Sequence, residues 1–383
     1  MNIGLSTSVI QRGHSGVAQY VFGLLRALLP CAGRHRFTLF VLEEDLPLFA
    51  FAGSKMERVS VPERYRPPLK DIVWHQTVLP RLARRHRIEV LHVPSYRRML
   101  WPRPCALVAT IHDLAPFHLA NKYDVKRMFY GRVVARRLAR RQDEIITVSR
   151  NTGRDIVDFF RLPAERLTMI YNGLDHARFF PASRTGARAL MARRRGLRQP
   201  FFLYVARLEH PAKNHARLIE AFNRFKAETR SGWQLVFGGA DWHGAEVIHA
   251  LIRQSRFNRD MHCLGFVPDA DLPDLYRAAE AFVYPSLFEG FGLPPIEAMA
   301  CGCPVISSTR GSLGEVVDEA AALVDPEDIH SIKEQMTRVA VEVAFRNQLR
   351  EAGLKRAQCF NWDKTAAATM NVYARAATSR LRR

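Results

Sequence analysis

The run from Ala279 to Ser308, AEAFVYPSLFEGFGLPPIEAMACGCPVISS, constrains the chain more than any other part of it. Ala279 to Ser286 is an apolar, aromatic and β-branched stretch closed by Pro285 and Ser286, the pattern of a buried strand ending in a turn. Pro295 to Met299 then reads as a helix. A proline costs nothing in a first turn, and Gly302 suits the positive φ just past the last one. Pro304 to Ser307 reads as the next strand. Strand, glycine-bearing loop, helix and strand in this order are the parts of a parallel sheet with crossover helices. The loop of such a unit presents backbone N–H groups and a positive helix end at the carboxyl edge of the sheet, where phosphates and sugars bind.

Inside that loop Gly290 and Gly292 carry no side chain, so a ligand can approach the main chain. Glu289 stands at the mouth of the loop, and Glu297 falls in the expected first turn of the helix. Carboxylates repel phosphate but accept hydrogen bonds from hydroxyls. The combination suits a molecule with both phosphate and several hydroxyls, such as a nucleotide-sugar.

The chain opens in the same way. Met1 to Thr7 reads as a strand, Ser8 to Gly16 as a polar loop and Tyr20 to Leu29 as a helix, the start of a Rossmann-like half. Further strands are expected at 37–42, 89–93, 106–111, 144–149 and 167–171, and a second series at 200–205, 234–237 and 263–267. Asn172-Gly173 is a strong turn signal between the two series. It leads into an Arg-, Ala- and Pro-rich linker, Asp175 to Pro200, which puts a boundary near residue 182. The expected domains are therefore 1–182 and 183–361, with a last helix over 362–383.

Several polar residues fall where these strands end. His112 directly follows the 106–111 strand and so lies at the ligand edge of its sheet; Asp113 either joins it or caps the next segment. Arg207 and Lys213 bracket the turn after the 200–205 strand, where two cations can share one diphosphate. Asp269-Ala270-Asp271 has the DxD spacing of a metal-holding pair. It also precedes the helical pattern LPDLYRAA, and helix starts favour Asp, so a cap is expected here and no metal. Cys301 and Cys303 form a lone CxC, read as packing where helix meets strand.

With 383 residues the chain can bury two full cores. Its six cysteines show no CxxC pairing, which favours reduced thiols in a cytoplasm. No apolar run of spanning length is read, and the opening MNIGLSTSVIQRG lacks the pattern of a secretory leader. The net charge is +20, of which +14 lies in residues 1–180. Lys126 to Arg141, KRMFYGRVVARRLARR, sets Tyr130, Val134 and Leu138 on one helical stripe and leaves a basic remaining face. That face either meets an anionic leaflet, each cation near it adding about 1 kcal/mol, or is solvated on a helix packed against its own sheet. A nucleic-acid binder of this charge would carry binding modules or aromatics among the basic runs, and these are absent. A nicotinamide-dependent dehydrogenase would carry GxGxxG with an acidic residue some way on; the opening loop QRGHSG does not match.

The spacing of Glu289 and Glu297 around GFGLPPIEAMACG resembles the signature of retaining GT-B glycosyltransferases of family four, and the likeness extends in order along essentially the whole chain. It implies an α/β GT-B fold, two Rossmann-like domains facing a central cleft, with a C-terminal helix crossing back to the first domain. By that resemblance Glu289 and the backbone of Gly290, Phe291, Gly292 and Leu293 meet the donor sugar, and Glu297 holds the ribose. Arg207 and Lys213 take the diphosphate, Gly265 and Phe266 lie near the base, His112 meets the sugar near its reacting carbon, and Gly16 faces phosphate and acceptor. Ser15 stands where many members have another glycine. The implied activity is metal-independent hexosyl transfer, with no cofactor, from a nucleotide-sugar to a polysaccharide or lipid-linked saccharide. GDP-mannose is the first choice of donor and a UDP-sugar the alternative; a non-catalytic nucleotide-sugar binder would share these motifs. The expected location is cytoplasmic, peripheral on the inner face of the membrane if the basic face meets lipid.

Overall fold

The computed structural model describes residues 1–13, 15–118 and 130–381. They form two units, Met1–Gly173 with Asn361–Arg383, and Leu174–Phe360.

The first unit holds seven strands: β1 (Asn2–Ser6), β2 (Arg36–Leu42), β3 (Glu57–Val61), β4 (Val90–Val93), β5 (Ala106–Ile111), β6 (Glu144–Thr147) and β7 (Leu167–Met169). Their order is β3-β2-β1-β4-β5-β6-β7, parallel throughout. The central strands are near-continuous apolar runs because helices cover both faces, and every residue of β5 is buried. β3, ERVSV, is not evident in the sequence. It is an edge strand whose first four residues alternate between part-buried and exposed before a buried Val61, with charges that blunt the edge.

The helix Gly16–Leu28 packs Tyr20, Val21, Leu24, Leu25 and Leu28 into the same core as Val372, Tyr373 and Ala376 of the last helix, Trp362–Leu381. By length and composition the run Gly16–Gly33 could cross a membrane, contrary to the sequence reading. Here its apolar face is buried in the core of the first unit. Trp362 explains the Asn172-Gly173 signal: a Cβ on Gly173 would sit 2.4 Å from the Trp362 backbone nitrogen, so the chain packs there only without a side chain. Beneath the sheet, the Tyr20 hydroxyl meets Thr110 at 3.0 Å, and His92 bridges Thr110 at 2.8 Å and Tyr373 at 2.7 Å. Burial holds His92 down to about 3, so it serves this network as a neutral ring.

The second unit holds β8 (Phe201–Val205), β9 (Gln234–Gly238), β10 (Met261–Cys263), β11 (Ala281–Tyr284), β12 (Val305–Ser308) and β13 (Ala322–Val324). All are parallel, in the order β10-β9-β8-β11-β12-β13. The order reverses between β8 and β11, a topological switch point whose carboxyl edge opens a crevice for ligands. The strand expected at 263–267 lies earlier, as β10, and Gly265 instead takes a positive φ in the loop that follows.

The units divide after Gly173 rather than near 182. Residues beyond it pack on the second unit: Arg178 donates to the Asp269 carbonyl at 2.7 Å, and the Phe179 ring contacts Tyr276. The basic segment 126–141 lies outside the described residues up to 129. From Tyr130 it runs as a π-helical turn, Tyr130–Ala135, and then as Arg136–Ala139. The wider turn breaks the expected stripe, so that Leu138 is buried while Tyr130 and Val134 are only partly so. Two of its arginines are engaged within the fold: Arg136 donates to the Phe160 carbonyl, and Arg141 donates to the Trp101 carbonyl while lying over the indole.

Candidate functional site

At the switch point of the second unit, β8 and β11 end side by side and deliver Lys213 and Glu289 to each other. Lys213 Nζ is 2.6 Å from Glu289 Oε1. The same oxygen accepts from the Tyr284 hydroxyl at 2.8 Å and from Ser286 Oγ at 2.8 Å. Three donors converge on Oε1, which fixes the carboxylate and leaves Oε2 outside their reach. Tyr284 is positioned by stacking on Tyr204, whose hydroxyl donates to the Lys213 carbonyl at 2.6 Å.

The loops at this edge are tied to one another through backbone groups. Asn214, in the left-handed region, donates from Nδ2 to the Pro285 carbonyl at 2.8 Å and the Pro326 carbonyl at 2.6 Å. Ser312 Oγ lies 2.9 Å from the Glu289 carbonyl and 3.0 Å from that of Phe291. The Gly239 amide donates to the Gly265 carbonyl at 2.8 Å, and the Trp242 amide to the Leu208 carbonyl at 3.1 Å. A site held this way is preorganised, since little backbone freedom remains to be lost on binding.

The glycine-bearing loop enters the helix Leu293–Ala300 with Gly292 as N-cap at φ 95, a backbone conformation that strains residues with a side chain, and a Cβ there would also press on the Leu313 side chain at 2.5 Å. No side chain caps this helix start. The Phe291 ring is buried against Phe360, so this residue offers the site its main chain. Because the helix begins at Leu293, Glu297 lies in its second turn rather than its first. Burial raises its carboxyl to about 7, opposed by the Tyr276 hydroxyl, which donates to Oε2 at 3.0 Å.

Arg207 does not join the Lys213–Glu289 pair. Its guanidinium lies 4.6 Å from the Trp242 ring centre and 3.6 Å from Glu209. Gly265 and Phe266 stand on the next loop; a Cβ on Gly265 would meet nothing, and the Phe266 ring is 61% exposed. The expected cap at Asp271 is not made. Its backbone is helical rather than extended, and its carboxylate instead pairs with Arg194 and Arg195, both at 3.1 Å. Asp269 pairs with Arg178. Among the described residues, no cluster of three or more His, Cys, Asp and Glu side chains is arranged to hold a metal.

His112 and Gly16 belong to the first unit. Gly16 opens its helix, and Ser15 is the N-cap whose hydroxyl accepts from the Ala18 amide, which is the use of a serine at that position. Tyr20, one turn on, meets the His112 ring edge-on at 4.7 Å. His112 hydrogen-bonds the Pro94 carbonyl while its Nε2 is buried without a partner. Burial lowers it to about 4. A neutral ring donating to Pro94 carries its proton on Nδ1 and offers the Nε2 lone pair to a hydroxyl. Asp113 accepts from the Ala115 amide at 3.0 Å, as a cap does.

Tyr284, Ser286, Asn214, Ser312, Tyr276 and Trp242 are the residues sequence reasoning passed over. Only Tyr284 and Ser286 had a signal, at the closing end of the 279–286 strand; the others depend on which loops lie together.

Models of known families match both halves of the chain: "Glycosyltransferase Family 4" over residues 14–178 and "Glycosyl transferases group 1" over residues 192–356. The O-antigen chain mannosyltransferase B of Escherichia coli is 32% identical over 268 residues, covering 70% of this chain and 69% of that protein. The serotype-specific mannosyltransferase WbdA of Escherichia coli is 30% identical over 71% of this chain, but the match spans only 34% of that longer protein. Among solved structures, sucrose-phosphate synthase from Thermosynechococcus elongatus superposes with a TM-score of 0.80 at 21% identity, covering 99% of this chain and 100% of the other. Two parallel α/β units with a switch-point site, matched over both halves by these models, make the chain a glycosyltransferase of group 1, family 4, with the GT-B fold.

Proposed function

We propose that this glycosyltransferase moves mannose from GDP-mannose to a saccharide acceptor with retention of anomeric configuration and without a metal. The observation that carries the reading is the cation–carboxylate pair of Lys213 and Glu289 at the β8–β11 switch point, with Arg207 leaving the same strand. A nucleotide-sugar presents both a diphosphate for Lys213 and hydroxyls for Glu289. On its arrival Lys213 exchanges a carboxylate for phosphate oxygens, and Glu289, still held by Tyr284 and Ser286, turns to the sugar. Glu297 faces the ribose.

In transfer the bond from the anomeric carbon to the diphosphate breaks, and negative charge builds on the departing oxygens. Arg207, Lys213 and the start of the helix Leu293–Ala300 stabilise that charge where it develops. The acceptor oxygen bonds to the same carbon on the same face, and its proton passes to the departing phosphate. Two fixed cations take the part a divalent metal would otherwise play, and Asp269 and Asp271 are already engaged by arginines. His112 has a neutral Nε2 available to a hydroxyl. The named relatives favour mannose, and a polysaccharide or lipid-linked saccharide is the acceptor this reading calls for. The reaction is placed in the cytoplasm, where nucleotide-sugars are made.

Calorimetry in EDTA against GDP-mannose, UDP-glucose and NAD tests this, followed by assay of nucleoside diphosphate release and NMR of the product anomer. Binding of GDP-mannose with release of GDP and an α-linked product is expected. Binding of UDP-glucose alone overturns the donor, an absolute need for Mg2+ overturns metal independence, and binding of none or of NAD alone overturns the whole reading.

A further inference from the structure

Residues 68–87 carry one acid, Asp71, which is buried and paired with Arg98, against Lys70, Arg81, Arg84, Arg85 and Arg87. The segment forms the helix Pro68–Thr77, followed through a helical Val78 by Leu79–Arg85. Leu69, Val73, Thr77 and Arg81 recur every four residues and are all exposed, so they form one outward stripe. Its beginning is apolar and unpartnered: Leu69 is 79% exposed and Val73 56%.

The stripe continues onto a separate part of the chain. Gln76 donates from Nε2 to the Met99 carbonyl at 2.9 Å and accepts from the Trp101 amide at 2.8 Å, which seats Trp101 beside the helix with its indole 52% exposed. The Arg141 guanidinium lies 4.5 Å from that ring centre. Single exposed apolar residues are ordinary, but Leu69, Val73 and Trp101 come from two segments fastened together by hydrogen bonds. Within these segments the charge is basic, for no acid occurs in residues 94–104 or 132–141, and Glu63 and Asp143 nearby are paired with Arg66 and Arg103.

We infer that this face of the first unit docks on an anionic lipid bilayer. Leu69, Val73 and the Trp101 indole enter the interfacial layer, while Arg81, Arg84 and Arg141 meet lipid phosphates. Charge complementarity selects this occupant: an apolar tip in a net basic field fits a negatively charged surface with apolar material just beneath it. The surface differs from the expected basic helix 126–141 and shares Arg141 with it. It does not depend on which donor or sugar the enzyme uses.

Co-sedimentation of the full chain with vesicles of phosphatidylcholine alone, and of phosphatidylcholine with about 30% phosphatidylglycerol to give a negative surface potential, tests the inference. Binding to the anionic vesicles only is expected, with a partition coefficient lowered on the order of tenfold or more in the triple variant L69S/V73S/W101S. These side chains are exposed, so the variant should keep its melting temperature and its release of nucleoside diphosphate in the absence of vesicles. Heparin binding, which reads bare charge, should be unchanged. Equal vesicle binding by the triple variant, equal binding to neutral vesicles, or loss of heparin binding in parallel with vesicle binding would each overturn the proposal.

Discussion

At the carboxyl edge of the second unit, charge is met by charge: Lys213, Tyr284 and Ser286 converge on one oxygen of Glu289. At the edge of the first unit, His112 is stripped of charge, half-buried beside Tyr20 with one nitrogen unpartnered. The same sheet topology therefore supports two electrostatic regimes. The difference follows from what surrounds each strand end. Lysine and hydroxyl donors stabilise an ionised carboxylate, whereas an aromatic ring and the Pro94 carbonyl favour a neutral imidazole. The same contrast recurs inside one motif, where Glu289 has a cation in direct contact and Glu297, eight residues on, is hydrogen-bonded by a tyrosine hydroxyl, with its carboxyl raised by burial to about 7.

The comparison breaks most sharply at the charged edge. Glu289→Ala and Arg207→Ala should each lower kcat/KM by about 10²–10³-fold, the scale of losing one preorganised transition-state contact, while the chain stays folded. Turnover at the wild-type rate in either variant would show that the pair does not act on the donor. At the neutral edge, His112→Ala should cost about 10²-fold. Because the folded ring titrates near 4, no loss of activity from this group is expected between pH 8 and pH 5. Its folded value lies below the ordinary 6.5, so protons favour the unfolded chain, and the stability tied to the neutral ring is lost as pH falls from 6.5 towards 4. A His112→Gln variant should therefore lose less Tm than the wild type between pH 7 and pH 5; a parallel loss would refute the neutral-ring account.

Glu297→Gln sharpens the contrast within the motif. It should raise the donor KM by about tenfold through a lost charge-assisted hydrogen bond. Since the folded carboxyl titrates above its ordinary value, burial favours the protonated form, and that contribution is lost as pH rises from 4.5 through about 7. The glutamine variant should match or fall below the wild type in Tm at pH 4.5 and exceed it at pH 8. Equal Tm differences at the two pH values would mean that Glu297 is ionised in the fold. The smallest effect is expected at Trp242, whose ring orients Arg207. Trp242→Leu should raise the donor KM by about fivefold with kcat unchanged, the scale of an exposed cation–π contact, and Trp242→Phe should recover part of it.

The sequence by itself determined the parallel α/β class, the strands of both series apart from β3, β13 and the placement of β10, and the strand-end positions of His112, Arg207, Lys213 and the 289–293 loop. Each of these rests on local periodicity and turn chemistry, which a residue and its near neighbours suffice to specify. It located the turn at Asn172-Gly173 without the reason for its glycine, which is the approach of Trp362 from the far end of the chain. The tertiary structure alone decided that Lys213 binds Glu289, that Tyr276 holds Glu297 and that Arg207 rests on Trp242. It also decided that Asp271 serves two arginines of a preceding helix rather than capping its own. These outcomes depend on which loops the strand order β10-β9-β8-β11-β12-β13 brings side by side. Burial and pairing then set charge state, and both are properties of neighbours in space that sequence spacing does not carry.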